Sequence, residues 1–462
     1  MFDKLTAFIE NYLQEPMTKL SNQRHLRAIR DGIIATLPII IVSSMFLVIA
    51  FLPNQLPENW ALTQWLSENA AKILLPYRMS MFIMTPYAVF GIGYSLTRSY
   101  KLDGLSGAII AELAYLLTIV PITGPAAGEE VLQLAENQPQ LAQFLETLPE
   151  GFLLPMGNLG AGGMFVGMVS AIIAVEIYRW SMVKGIRITM PEQVPPSVAR
   201  SFEALIPTAI VLLLFATITM WLEIDVHGLV GQIVAPLVTA TDTLPSVLGI
   251  TFLGMLFWTF GIHGWNIVGT IARPLWLVLL DENTAAYAAG EEIPNIGAEP
   301  LYQWFINIGG SGGTIGLAIL FAFFSKSAYL KALGKTSFIP AVFNINEPIV
   351  FGTPIVLNPV MMIPFIITPL ILGTISWFAT SFGLINPVVT LAPWTLPGPI
   401  GAYFATGGDW RAALLNVILI ILSFAIYYPF FRIYDNNLLL EEEGKDPVDE
   451  LGTENQELET ER

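Results

Sequence analysis

The chain has 462 residues, of which 54% are hydrophobic and 13% charged. An ordinary soluble domain carries about 25% charged residues, so this much apolar surface points to lipid contact rather than to one soluble core. The formal net charge of -16 is concentrated, since residues 435–462 hold 11 acidic and 2 basic side chains; no basic stripe for a nucleic acid remains. With no cysteine, disulfides, thiolate metal ligation and a cysteine nucleophile within this chain are excluded; with 3 histidines a His-rich metal site is not expected, nor is a cofactor.

At the N-terminus, Met1–Leu20 contains Asp3, Glu10 and Glu15 and has no apolar core of a signal peptide. Phe2, Leu5, Phe8, Ile9, Tyr12 and Leu13 recur at helical spacing, so residues 1–30 read as an amphipathic segment on the membrane interface, with a packed surface helix as the equal alternative. A spanning helix needs about 20 mostly apolar residues. Such stretches occur near 31–52, 76–98, 103–121, 155–178, 204–223, 246–262, 264–280, 303–325, 354–377 and 411–433. The apolar stretch at 226–240 is short and is expected along the interface. Residues 337–350 and 380–400 are rich in Pro, Gly and Asn, which makes them poor continuous helices. At membrane depth such backbone is tolerated only where protein buries it or it lines a cavity. The expected fold is an all-α polytopic membrane protein, with about ten transmembrane helices plus re-entrant or broken segments. Its transport domain spans 31–433, followed by an acidic disordered tail over 434–462.

The basic residues orient these spans. Arg24, Arg27 and Arg30 precede the first, Arg98 and Lys101 join the second to the third, and Arg179, Lys184, Arg187 and Arg200 follow the fourth. Lys326, Lys331 and Lys335 follow the eighth and Arg432 ends the tenth, whereas 122–154 and 281–300 contain no Lys or Arg. The positive-inside rule places both termini in the cytoplasm and those two segments outside.

The most informative stretch is Phe343-Asn-Ile-Asn-Glu-Pro-Ile-Val-Phe-Gly-Thr-Pro-Ile-Val-Leu-Asn-Pro359. A charge such as Glu347 at the bilayer centre costs roughly 2.5–3.5 kcal/mol even on insertion scales. Pro348, Pro354 and Pro359 each remove a backbone donor. Carboxylate, amides and freed backbone groups are thereby gathered where sugar hydroxyls could be bound; a kinked helix satisfying its own polar groups is the structural alternative. A second candidate is His263, in Trp258-Thr-Phe-Gly-Ile-His-Gly-Trp-Asn266. Read from its neighbours alone, it is more readily a packed core histidine. Trp258, Trp265 and Trp394 lie in the broken regions, where an aromatic face stacks on a sugar ring or anchors at the interface; Trp394 is the first choice. Gly309-Gly-Ser-Gly-Gly-Thr314 lacks the Gly-Lys-Ser/Thr ending of a phosphate loop, so close packing of helix backbones is expected there. The same holds for Gly157–Gly167, with Asn158 as a minor ligand candidate. Arg273, beside Pro274, is expected either to pair with a carboxylate or to be structural, and Glu112 has no assignable partner.

The Asn-Glu-Pro stretch, together with Asn22-Gln-Arg-His-Leu-Arg-Ala-Ile-Arg-Asp-Gly32, resembles the membrane-spanning enzyme IIC permeases of the phosphotransferase system, lactose/cellobiose/chitobiose family. The resemblance runs over most of residues 1–435. It implies that His263 and Glu347 contact the sugar near the hydroxyl to be phosphorylated, with Glu347 as general base and His263 stabilising developing charge. Asn346, Asn344, Trp394, Trp258 and Asn158 are the expected substrate ligands. The implied partners are a disaccharide of the cellobiose, chitobiose or lactose type, a phosphorylated IIB protein with IIA upstream, membrane lipid, and a second copy of the chain in a homodimer. The competing reading is a proton-coupled secondary sugar transporter, in which Glu347 and His263 relay protons.

Overall fold

The computed structural model describes residues 23–124, 151–191, 193–261, 263–353, 355 and 359–444. The expected amphipathic helix within residues 1–20 and most of the acidic segment 122–154 lie outside them; of the tail expected to be disordered over 434–462, residues 434–442 are helical and those beyond 444 lie outside the described residues. The chain divides into an N-terminal unit, Gln23–Ile40 with Tyr77–Pro236, and a C-terminal unit, Ile41–Pro76 with the residues from Leu237 onward.

Helix α1 spans Arg24–Phe51, so Arg24–Arg30 continue directly into the first span instead of forming a separate interfacial element. The Gln23 side chain accepts the Leu26 amide hydrogen at 2.7 Å and satisfies one of the donors every helix start leaves free. Helix α2 covers Ala61–Met81, α3 Met84–Ser99, α4 Gly104–Leu116 and α5 Met164–Lys184. A short antiparallel pair, β1 (Ile122–Gly124) and β2 (Gly151–Leu153), sits between α4 and α5 in sequence.

In the N-terminal unit α3, α4 and α5 pack on one another. Lipid supplies no hydrophobic drive between helices, so the contact is made through small residues. A Cβ added at Gly107 of α4 would stand 1.9 Å from the Thr97 hydroxyl of α3, and one at Gly167 of α5 would stand 2.7 Å from Val89. Asp103 caps α4 by accepting the Ser106 amide at 2.9 Å. Helix α6 (Pro196–Glu203), helix α7 (Leu205–Ala216), which runs on into a π-turn at Thr217–Trp221, and most of helix α8 (Val226–Thr241) complete the unit.

The C-terminal unit contains α9 (Leu244–Thr259), α10 (Gly264–Ala289), and α11 (Glu299–Leu301) with a π-turn at Tyr302–Ile306. It continues with α12 (Ile315–Phe324), α13 (Ala328–Val342), α14 (Glu347–Gly352), α15 (Pro359–Ser381), α16 (Gly398–Ala405) and α17 (Trp410–Glu442). The long α17 packs against α12, α15 and α16.

Among the described residues 6 helices are long and apolar enough to cross a membrane, or 7 if α8 and α9, bent by 81°, form one span. The sequence suggested ten. Two of the stretches read as spans fall short of that length for a plain reason. Helix α4 is only 13 residues long. The stretch 303–325 is interrupted by its glycines, leaving α12 with 10 residues. Gly309, Gly310, Gly312 and Gly313 have φ of 76°, 102°, 84° and 62°, a region only glycine enters without strain. This run is therefore a loop and not the helix-packing stripe expected of it. The segment from 337 is also more regular than expected, since α13 carries Pro340 and breaks only at Phe343. Residues 382–397 are non-helical, as their composition suggested.

Candidate functional site

An extended or looped backbone inside a membrane must find its hydrogen bonds within the protein. The loop Gly309–Thr314 does so through side chains. Tyr427 donates to the Gly312 carbonyl at 2.8 Å, Ser423 to Gly313 at 2.5 Å and Thr314 to Gly309 at 3.0 Å. Asn346 donates to the Ser311 carbonyl at 2.6 Å and to the Thr314 hydroxyl at 2.8 Å. Asn344 stands at φ 61°, a left-handed conformation that asparagine tolerates better than most residues. Its amide oxygen accepts the Gly309 N–H at 2.9 Å, and its amide nitrogen donates to the carbonyls of Trp394 and Leu396 at 2.8 and 3.0 Å. One side chain thus ties the glycine loop, the Asn-Glu-Pro break and the 382–397 loop together.

The break ends where Asn346 caps a short helix: its carbonyl accepts the Ile349 and Val350 amides at 2.9 and 3.0 Å, and Pro348 fills a position where a missing N–H does no harm. Glu347 is the first residue of that helix, α14, and is exposed. Asn346 beside it is 3% exposed.

His263 comes from the other break, between α9 and α10. Gly261 turns the chain there at φ 76°, and a Cβ on Gly264 would lie 1.8 Å from the Gly254 carbonyl, so α9 and α10 approach through glycine alone. The His263 Nδ1 accepts the Asn266 amide hydrogen at 3.3 Å. A neutral ring then carries its proton on Nε2. The ring rests against Trp258, centroid to centroid 4.4 Å, and Phe351 of α14 touches the same tryptophan at 6.1 Å. Glu347 starts the same helix that carries Phe351, one turn before it. Trp258 is buried and Trp394 is half-exposed, so only the latter offers much of its face to a visitor. Beside these, Trp265, Trp276 and Tyr302 form an aromatic group with centroid separations of 4.5 to 6.4 Å.

The structure therefore brings His263 onto Trp258, beside the helix that Glu347 starts, and joins Trp394 to the break through Asn344. Asn158 belongs to the N-terminal unit, where Tyr115 donates to its carbonyl and Gly163 leaves room for it. Arg273 has a carboxylate partner, Glu299, at 2.6 Å. The Glu112 Oε2 is buried with no hydrogen-bond partner among the described residues. Sequence reasoning missed a polar cluster in the N-terminal unit. There Glu176 receives hydrogen bonds from Tyr100 at 2.5 Å and Arg179 at 2.9 Å, and meets His25 Nε2 at 3.0 Å. The available signal was His25 within the Asn22–Gly32 stretch. Among the described residues no group of His, Asp and Glu side chains is arranged to hold a metal ion.

A carboxylate and an imidazole beside aromatic faces can bind a polyhydroxylated ligand and take a proton from one of its hydroxyls. Comparison with known proteins gives this chemistry a context. The structure resembles the crystal structure of the transporter ChbC, the IIC component from the N,N'-diacetylchitobiose-specific phosphotransferase system, with a TM-score of 0.82 and 34% identity over 95% of this chain and 100% of that one. The chain is 37% identical to the cellobiose-specific EIIC component of the phosphotransferase system from Geobacillus stearothermophilus, over 96% of this chain and 97% of the relative. It is 36% identical to the lichenan permease IIC component of Bacillus subtilis, over 95% and 96%. Against the lactose-specific EIICB component of Staphylococcus haemolyticus it is 32% identical over 96% of this chain and 73% of the relative. A family model described as phosphotransferase system, EIIC, matches residues 30–369. These likenesses favour transport with phosphorylation over the proton-coupled reading, and the chain belongs to the EIIC family of phosphotransferase-system sugar permeases, multi-pass proteins of the membrane.

Proposed function

We propose that this permease takes a disaccharide of the cellobiose, chitobiose or lactose type and presents one of its hydroxyls to a phosphorylated IIB protein. The observation that carries the reading is the packing of His263 on the Trp258 ring at 4.4 Å, with the same tryptophan met by Phe351 of the helix that Glu347 starts, in a unit built from interrupted helices. Glu347 accepts the hydroxyl proton as the sugar oxygen attacks phosphorus, and the bond from phosphorus to the carrier group on IIB breaks, leaving its electron pair on that group. His263, with its proton on Nε2, donates a hydrogen bond toward the developing charge. Trp394 stacks on the sugar ring, and Trp258 backs the histidine. This chain has no cysteine of its own, which fits a phosphoryl carrier outside these residues. The EIICB relatives, with about a quarter of their length outside the match, fit a IIB portion joined to the permease.

Asn344 and Asn346 act one step behind the sugar. All three of the donor and acceptor sites that Asn344 uses go to backbone, and Asn346 is buried on Gly310, so both hold the loops that carry Glu347 and Trp394. Asn158 is the one candidate ligand carried by the N-terminal unit. Both termini face the cytoplasm, the basic segments 179–200 and 326–335 receive IIB, IIA supplies IIB upstream, and the permease works as a homodimer.

The test uses the full chain in vesicles with labelled cellobiose, lactose and N,N'-diacetylchitobiose, with and without phosphorylated IIB. Phosphorylated sugar that forms only with IIB, and is lost in Glu347→Gln, supports the proposal. Free sugar accumulating on a proton gradient without IIB overturns it.

A further inference from the structure

In the N-terminal unit α1 and α3 run antiparallel and touch at Gly32 and Gly91, where a Cβ on Gly91 would lie 2.9 Å from the Gly32 Cα. From that crossing toward the start of α1 and the end of α3 a cleft opens, with a volume of about 810 Å³. Arg27, Arg98, Ser95 and Ser99 line it together with Phe90 and Tyr94. Asp31 also faces it, but its charge is spent: Arg30 donates to Asp31 Oδ1 at 3.0 and 3.2 Å and Ser95 to Oδ2 at 3.1 Å.

The other arginines at this end are engaged. Arg24 and Arg179 lie over the Tyr100 ring, Arg179 also pairs with Glu176, Arg187 pairs with Glu203 and Arg200 with Asp103. Arg27 and Arg98 have no carboxylate within ion-pair distance among the described residues, and both are exposed. Two guanidiniums outside any ion pair among the described residues match the oxygens of a phosphate. Every lining residue comes from α1 or α3 and none from a loop, so an occupant reaches the cleft along the flank of two membrane helices. Phe90 and Tyr94 are exposed on that flank, which suits the apolar part of the same molecule. We propose that this cleft holds the headgroup of an anionic membrane phospholipid, its phosphate between Arg27 and Arg98 and its glycerol and upper acyl chains against Phe90 and Tyr94.

The experiment is native mass spectrometry of the full chain after titration with phosphatidylglycerol or phosphatidylcholine. Wild type is expected to retain phosphatidylglycerol preferentially. Arg27→Gln with Arg98→Gln should lower that retention about thirtyfold, the effect of two basic contacts with a lipid surface. Arg432→Gln, which removes one charge from the other unit, should leave it unchanged, and Arg27→Lys with Arg98→Lys should restore most of it. A melting temperature for each variant separates lipid loss from misfolding. Equal retention of the two lipids, undiminished retention in the double glutamine variant, or displacement of the lipid by inorganic phosphate alone overturns the proposal. So does a double variant that keeps its lipid and loses only the binding of phosphorylated IIB.

Discussion

The two units weight two solutions to one problem differently. Both must keep backbone polar groups paired in lipid, where each unpaired group costs several kcal/mol. In the N-terminal unit α3, α4 and α5 run uninterrupted and meet through Gly93, Gly107 and Gly167, and the described break before α5 is paired by Thr85 and Tyr115, which donate to the Gly160 and Asn158 carbonyls. The C-terminal unit abandons helix at Gly309–Thr314, Phe343–Asn346 and 382–397 and recruits Asn344, Asn346, Ser423 and Tyr427 to pair the freed groups. The second solution needs many specific side chains, and it is the one that leaves Glu347, His263 and Trp394 on non-helical or helix-starting backbone. Regular helices build the scaffold, and broken ones hold the chemistry.

The largest effect that could break this contrast is on turnover. Glu347→Gln keeps the shape and the Asn346 clamp but removes the base. Phosphorylation of sugar by IIB should fall by about 10²–10⁴. Sugar binding, followed by tryptophan fluorescence, should change far less. A variant that still phosphorylates near the wild-type rate would mean that the C-terminal breaks serve architecture alone.

Next in size is the anchor of α13, the helix leading into the Asn-Glu-Pro break. Asp435 is 2% exposed and accepts from the Ser325 hydroxyl at 2.5 Å and from the Lys326 and Ser327 amides at 2.9 and 3.0 Å. Asp435→Ala strands those donors and should destabilise by about 3 kcal/mol, read as a lowered melting temperature in detergent. An unchanged melting temperature would show that α13 is held by packing rather than by its capped start.

How much of this was legible in the sequence divides along the same line. The Pro, Gly and Asn content marked the breaks at 343–346 and 382–397, because those residues remove donors or enter φ regions a helix excludes. Apolar runs located the long spans, but a window average cannot see a loop made of apolar-neutral glycine, so 303–325 read as one helix. Nor could spacing assign the asparagines. A sequence shows an amide that could bind a sugar; only the fold shows that the Asn344 amide is already used by Gly309, Trp394 and Leu396. The Arg273–Glu299 pair was half legible, since a charged residue inside a span needs a partner, but a partner 26 residues away has no local signature.

The Asn344 clamp allows a finer comparison of side chain with backbone. Asn344→Gly keeps the φ of 61° and loses three hydrogen bonds; Asn344→Ala loses the bonds and also strains the left-handed backbone. Glycine should destabilise by about 2 kcal/mol and alanine by about 1 kcal/mol more, measured as melting temperatures. Equal losses would mean that the turn relaxes once its side chain is gone.

The smallest effect belongs to the regular unit, and it tests whether that unit follows ordinary helix rules. Asp103 accepts both the amide and the hydroxyl of Ser106, at 2.9 and 2.7 Å, and meets Arg200 only loosely at 3.4 Å. The exposed ion pair adds little, so the cap dominates. Asp103→Ala should destabilise by about 1 kcal/mol, and Asp103→Asn, which can still cap, by a fraction of that. If asparagine proved as damaging as alanine, the charge on Asp103 and not its cap would hold the start of α4. The N-terminal unit would then depend on specific polar side chains as heavily as the C-terminal one, and the contrast between them would fail.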